Sequence, residues 1–144
     1  TTPKTYQNIY RNLHEIFGEK EKSVSYEIIT YIYENYMEDL KIQNVADKFH
    51  ISVIELNRIL LFQLEKNFED LIHFLRINKA CEMLLTTDAA ITDIGFQVGY
   101  NTVKTFNRNF VKLKNMSPGN FRKTILFQKG SETILVENLH QEKE

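Results

Sequence analysis

Leu56-Asn57-Arg58-Ile59-Leu60 and Phe106-Asn107-Arg108-Asn109-Phe110 share one pattern, apolar-Asn-Arg-x-apolar, and their first residues stand 50 positions apart. Upstream, Val45-Ala46-Asp47-Lys48-Phe49 parallels Ile94-Gly95-Phe96-Gln97-Val98. The chain therefore carries an internal repeat, each copy reading as a short helix, a turn of three to four residues and a second helix. A small residue in the first helix, Ala46 or Gly95, lets the second approach closely. Gly99 suits a sharp reversal of direction. In the second helix Leu56 and Leu60, or Phe106 and Phe110, lie four apart, which buries one face and frees the other. A helix displayed in this way is the second element of a helix-turn-helix, the one that enters the major groove of duplex DNA.

The flanking sequence extends this helical pattern. Few turn formers interrupt the chain (5 Gly and 2 Pro in 144 residues), and 42% apolar residues suffice for a core. Apolar spacing predicts a helix over Tyr6 to Phe17, stopped by Gly18. Ser25 is expected to cap a helix running to about Tyr36, followed by a short helix from Ile42 to Phe49. Ser52 caps Val53 to Leu64, and Asn67 caps a long helix from Phe68 to Thr86. Further helices are expected near Thr92 to Val98 and Thr102 to Lys114. Ser117-Pro118 opens a last one ending near Thr124, with Pro at the position where its missing N–H costs nothing. The expected class is all-α: two helix-turn-helix units joined by a long linker helix, with an extra N-terminal helix. The divisions are an N-terminal helix and connector (1–24), a first unit (25–66), the linker helix (67–86), a second unit (87–126) and a tail (127–144). A start at Thr1 rather than Met suggests a piece of a longer protein.

Net charge is −1, but the charge is unevenly spread. Between Tyr100 and Lys123 the charged residues are Lys104, Arg108, Lys112, Lys114, Arg122 and Lys123, with no acid among them. Acids gather elsewhere, as at Glu34 to Asp39. A basic segment on a near-neutral chain is the footprint of a localised phosphate-binding face.

From about Leu40 to Lys123 the chain resembles the DNA-binding domain of the AraC/XylS family of transcription regulators. Ile94-Gly95-Phe96-Gln97-Val98-Gly99-Tyr100, then Phe106 to Phe110, then Met116-Ser117-Pro118 and Phe121-Arg122 follow the order of the family signature. Arg76 to Ala80, with Leu84-Leu85, resembles its linker helix. The outward candidates are Ser52, Ile54, Glu55, Asn57 and Arg58 on the first recognition helix, and Asn101, Val103, Lys104, Asn107 and Arg108 on the second. The resemblance implies base reading by Ile54, Asn57 and Arg58, and by Val103, Lys104, Asn107 and Arg108. The chemistry agrees: Arg pairs bidentately with guanine, Asn with adenine, and Ile or Val packs on thymine methyls. Lys112 and Lys114 are expected at phosphates. The chain departs from the family where Gly is common after each recognition helix, carrying Glu65 and Asn115. Asn tolerates a left-handed backbone, whereas Glu65 suggests a changed exit from the first recognition helix. Leu61 and Phe62 stand where basic residues are usual. The resemblance also implies RNA polymerase as a partner and a sensory or receiver domain elsewhere in the same protein, with the helix at Tyr6 to Phe17 as the connection.

Other classes find little support. The lone Cys81 forms no internal disulfide or Cys-cluster metal site, and His14, His50, His73 and His140 are scattered, so no cofactor or metal is expected. The sequence has no phosphate-binding glycine loop and no catalytic spacing, so no enzyme is expected. No signal peptide or long apolar run appears, which points to a reducing, cytoplasmic setting with no membrane partner. The competing reading is a helical interaction or dimerisation module with weak or lost DNA binding, which Glu65, Phe62 and the neutral overall charge favour.

Overall fold

The computed structural model describes residues 23–125. The expected helix at 6–17 and the tail from 127 lie outside them. Among the described residues every regular element is a helix: α1 Val24–Asn35, α2 Ile42–Lys48, α3 Val53–Leu64, α4 Phe68–Thr86, α5 Ile91–Gln97 and α6 Val103–Lys114. A further helix, α7, begins at 118 and continues to 125.

Side-chain caps fix most of the starts. Ser52 Oγ accepts from Glu55 N–H, Asn67 Oδ1 from Asp70 N–H, and Thr102 Oγ1 from Thr105 N–H. Each satisfies a backbone donor that has no partner inside its helix. Two boundaries differ from expectation for this reason. Ser23, not Ser25, caps α1, because its hydroxyl reaches Tyr26 N–H while Ser25 lies inside the first turn. Thr102 is the cap of α6 rather than its first residue.

Two cores form along one helix. Ile28, Ile29, Ile32, Val45, Ala46, Leu56 and Leu60 close on Phe68, Leu71, Ile72 and Leu75 of α4. Ile94, Val98, Tyr100, Phe106 and Phe110 close on Ile77, Ala80, Cys81 and Leu84, further along the same helix. Full burial stabilises by about 1.5–3 kcal/mol per large aliphatic or aromatic side chain. The linker helix is thus a shared wall of two cores, and the change from one to the other falls between Leu75 and Ile77.

The two turns follow one design. Ile51 N–H donates to Ala46 O and Tyr100 N–H to Gly95 O, both at 3.0 Å. Each turn needs a left-handed residue: His50 at φ 57° in the first, Gly99 at φ 118° in the second. The second turn then holds one more residue, Asn101, before its cap. A Cβ on Gly95 would sit 2.7 Å from Phe106 Cδ2, so that helix pair closes only over glycine. In the first unit Ala46 shares its core with the smaller Leu56 instead.

The exits of α3 and α6 correct an expectation. Glu65 (φ 58°, ψ 25°) and Asn115 (φ 61°, ψ 19°) both adopt the left-handed conformation. Their N–H groups donate to Leu61 O at 3.0 Å and Val111 O at 2.8 Å. The first recognition helix therefore ends as the second does. Asn57 Oδ1 accepts from Phe68 N–H at 2.9 Å, tying α3 to the start of α4 just beyond that exit, and Glu65 bears the conformational strain.

Candidate nucleic-acid interface

The buried faces of α3 and α6 are held by Leu56 and Leu60 in one and Phe106, Asn109 and Phe110 in the other. The Asn109 amide folds back onto Thr105 O at 2.9 Å. Lys104, Asn107, Arg108 and Lys112 are exposed on α6, as are Val111 and Leu113 near its C-terminal end, with Asn101 exposed just before the cap and Val103 half-buried in the first turn. Among the described residues none of these cations is in an ion pair, the pairs there being Arg58–Glu55, His73–Glu69 and Lys79–Glu82. Among the described residues the face therefore presents cations that no acid pairs with.

The α3 face is different. Ser52 and Ile54 are exposed, Ile54 to 72%. Arg58 is exposed as well, but its guanidinium donates to Glu55 Oε2 at 2.9 Å. Beyond it, Leu61 and Phe62 are exposed, Phe62 to 84%. The α3 face thus combines exposed apolar side chains with a cation already paired with Glu55.

Three expected site or phosphate residues serve the fold. Asn57 is half-buried, and its Oδ1 caps the Phe68 N–H across the α3–α4 turn. Its inward setting follows from the start of α4, whose first N–H groups need acceptors that the helix does not supply. Lys114 is half-buried and donates to the buried Asn78 Oδ1 at 3.0 Å. Arg122 spends its guanidinium on Leu84 O, Thr87 O and Ala89 O, closing the end of α4 onto the start of the second unit. Spacing marked these residues as basic or polar, but only the tertiary contacts show where their donors and acceptors go.

Between the two units lies a cleft of about 190 Å³ lined by residues that include Lys66, His73, Phe74, Asn109 and Lys112. Lys66 stands 4.7 Å from the Phe74 ring centroid. Burial pushes the His73 imidazole below its ordinary pKa, so it is neutral near pH 7. Among the described residues no group of His, Cys, Asp or Glu has metal-site geometry, and no helix is long and apolar enough to cross a membrane.

Residues 45–124 match the family model of the helix-turn-helix domain. The uncharacterised HTH-type transcriptional regulator YfiF of Bacillus subtilis (strain 168) is 34% identical over 96 residues, which cover 67% of this chain and 30% of that protein. The chain thus spans about a third of that relative. Among solved structures, the C-terminal domain of AraT, a response regulator from Geobacillus stearothermophilus, superposes with a TM-score of 0.69 at 30% identity, covering 74% of this chain and 88% of that one. The DNA-binding domain of AdpA, a global transcriptional factor solved with a target DNA, has the same fold at a TM-score of 0.71 and 15% identity, covering 76% of this chain and 98% of its own. A repeat of two helix-turn-helix units on one linker helix, matched over more than half its length by the family model, shows that the chain belongs to the AraC-type helix-turn-helix family.

Proposed function

We propose that the chain is the sequence-specific DNA-binding part of a transcription regulator, with α6 as its principal reader and α3 as a weaker second one. The observation that carries this is the α6 face: Lys104, Asn107, Arg108 and Lys112 exposed together, free of internal ion pairs among the described residues, on a helix anchored by Phe106 and Phe110. Arg108 and Asn107 supply base-edge donors and acceptors, and Lys104 and Lys112 supply phosphate neutralisation. Ser52, Ile54 and Arg58 form the corresponding α3 contact, with Asn101 and Val103 flanking the α6 one. Asn57 acts through the position it gives α3, and Lys114 through its bond to Asn78. The reaction is binding, without catalysis.

The signal reaches this part from a receiver or sensory domain of the same protein, and the output is contact with RNA polymerase. The parallel is the AraT domain, whose parent is a response regulator. The setting is the cytoplasm, the compartment that holds template and polymerase in the bacteria its relatives come from. Selection of bound duplexes from a random pool tests the core of this reading. Enrichment of one consensus is expected. Binding that stays equal across all sequences at every salt concentration rejects it.

A further inference from the structure

Arg76 occupies the position on α4 where one core gives way to the other, between Leu75 and Ile77. Its Nε donates to Tyr36 O at 2.7 Å and its Nη2 to Glu38 O at 2.8 Å, both just past the end of α1 in the first unit. Its Cζ lies 5.5 Å from the centroid of the Tyr100 ring, in the turn of the second unit. Tyr100 is itself held: its hydroxyl is 2.7 Å from His73 Nδ1, and the two rings stack at 5.7 Å and 8°. Gly99 completes the junction. A Cβ there would lie 2.7 Å from Arg76 Nε and 2.9 Å from Met37 O, so the close approach at this point requires a residue without a side chain. A planar guanidinium that donates to two carbonyls and lies against a ring cannot rotate without losing several contacts at once.

We propose that Arg76 is a positioning residue, a clasp that fixes the two helix-turn-helix units at one relative setting and thereby sets the half-site spacing the chain accepts. This rests on the DNA reading above for its consequence, but not for its geometry. If the clasp holds, the two recognition helices move as one body. A base pair inserted between half-sites then shifts the far site by about 3.4 Å and turns it by roughly 34°, beyond the reach of a fixed pair of helices. If the clasp is released, each unit pivots about α4 and follows its site.

Two measurements test this on the full chain. Spin labels at Gln43→Cys and Asp93→Cys, both exposed positions, report the distance between units without DNA; the fully buried Cys81 is protected from labelling in the folded chain. One narrow distance is expected for the parent, and a broadened or second distance for Arg76→Ala. Arg76→Lys retains the stem and charge, but its ammonium cannot span both carbonyls, so it should broaden the distribution too, even if Arg76→Ala fails to fold. Unchanged widths in a folded variant overturn the clasp. In the second measurement, the duplex selected by the parent chain is compared with the same duplex carrying one inserted base pair. The parent should lose about tenfold or more in affinity on insertion, and Arg76→Lys clearly less. An equal penalty in both overturns the proposal. A parent that binds no duplex rejects the DNA reading alone, and the distance measurement then decides the clasp.

Discussion

Arg58 and Arg108 hold equivalent places in the two repeats, yet Glu55 binds the first at 2.9 Å while the second meets no acid among the described residues. Arg108→Ala should therefore weaken binding by about 1–3 kcal/mol and relax preference at one base pair, as measured by competition among single-base variants of the selected duplex. Uniform weakening across all variants would instead assign Arg108 to phosphate. Glu65 carries a left-handed backbone at φ 58°, a conformation that glycine adopts without a Cβ clash. Glu65→Gly should stabilise the fold by about 0.5–1 kcal/mol in chemical denaturation, the gain limited by glycine's freedom in the unfolded chain. A loss of stability would show that Glu65 makes up for its strain elsewhere. His73 gives a pH signature. Its folded pKa lies below the ordinary 6.5 because burial disfavours the charged ring. The unfolded imidazole takes up a proton as pH falls through 6.5, and the folded one resists it, so this residue's effect is absent well above pH 6.5 and destabilises increasingly below it. His73→Gln should reduce the stability lost between pH 7.5 and pH 5.5. An identical pH slope in the variant would contradict the burial argument.

At the scale of helices, α6 has three exposed cations, Lys104, Arg108 and Lys112, in no ion pair among the described residues, beside the exposed Val111 and Leu113, whereas α3 offers Ile54, Leu61, Phe62 and an arginine paired with Glu55. Lys112→Ala should reduce the slope of log affinity against log salt by about one unit. An unchanged slope removes Lys112 from the interface. The helices among the described residues were legible in the sequence because apolar spacing, Ser and Asn caps and the Ser-Pro start are local signals. The starts of α3 and α4 fall where Ser52 and Asn67 put them. What spacing could not reveal was the destination of long or amide side chains. Asn57, Lys114 and Arg122 look surface-seeking in one dimension and turn to Phe68 N–H, Asn78 and three carbonyls in three. His50 is a similar case: nothing in its type marks a turn residue, and the hydrogen bond from Ile51 N–H to Ala46 O completes the turn around it. Gly99, by contrast, was readable as a turn, though its role in admitting Arg76 was not.

Across the whole molecule the linker helix sets the reach. Its 19 residues extend about 28 Å, short of the roughly 34 Å between successive major-groove faces on straight DNA. If that length sets the separation of the two readers, the duplex is expected to bend toward them, or one unit to stay out. A circular-permutation gel assay on a duplex protected in both grooves should therefore report a bend, and straight DNA with both grooves protected would contradict the geometry. Bending costs on the order of 1–6 kcal/mol for a site of this size, which favours flexible steps between the half-sites. In the proposed complex the free side of α6 lies against base edges in the major groove. Methylation interference at guanine N7, carried out on the selected duplex with the parent chain and with Arg108→Ala, tests it most directly. Interference is expected at major-groove guanines for the parent, with one of those positions falling silent in the variant. Contacts confined to phosphates, with no guanine N7 sensitive in either protein, would contradict it.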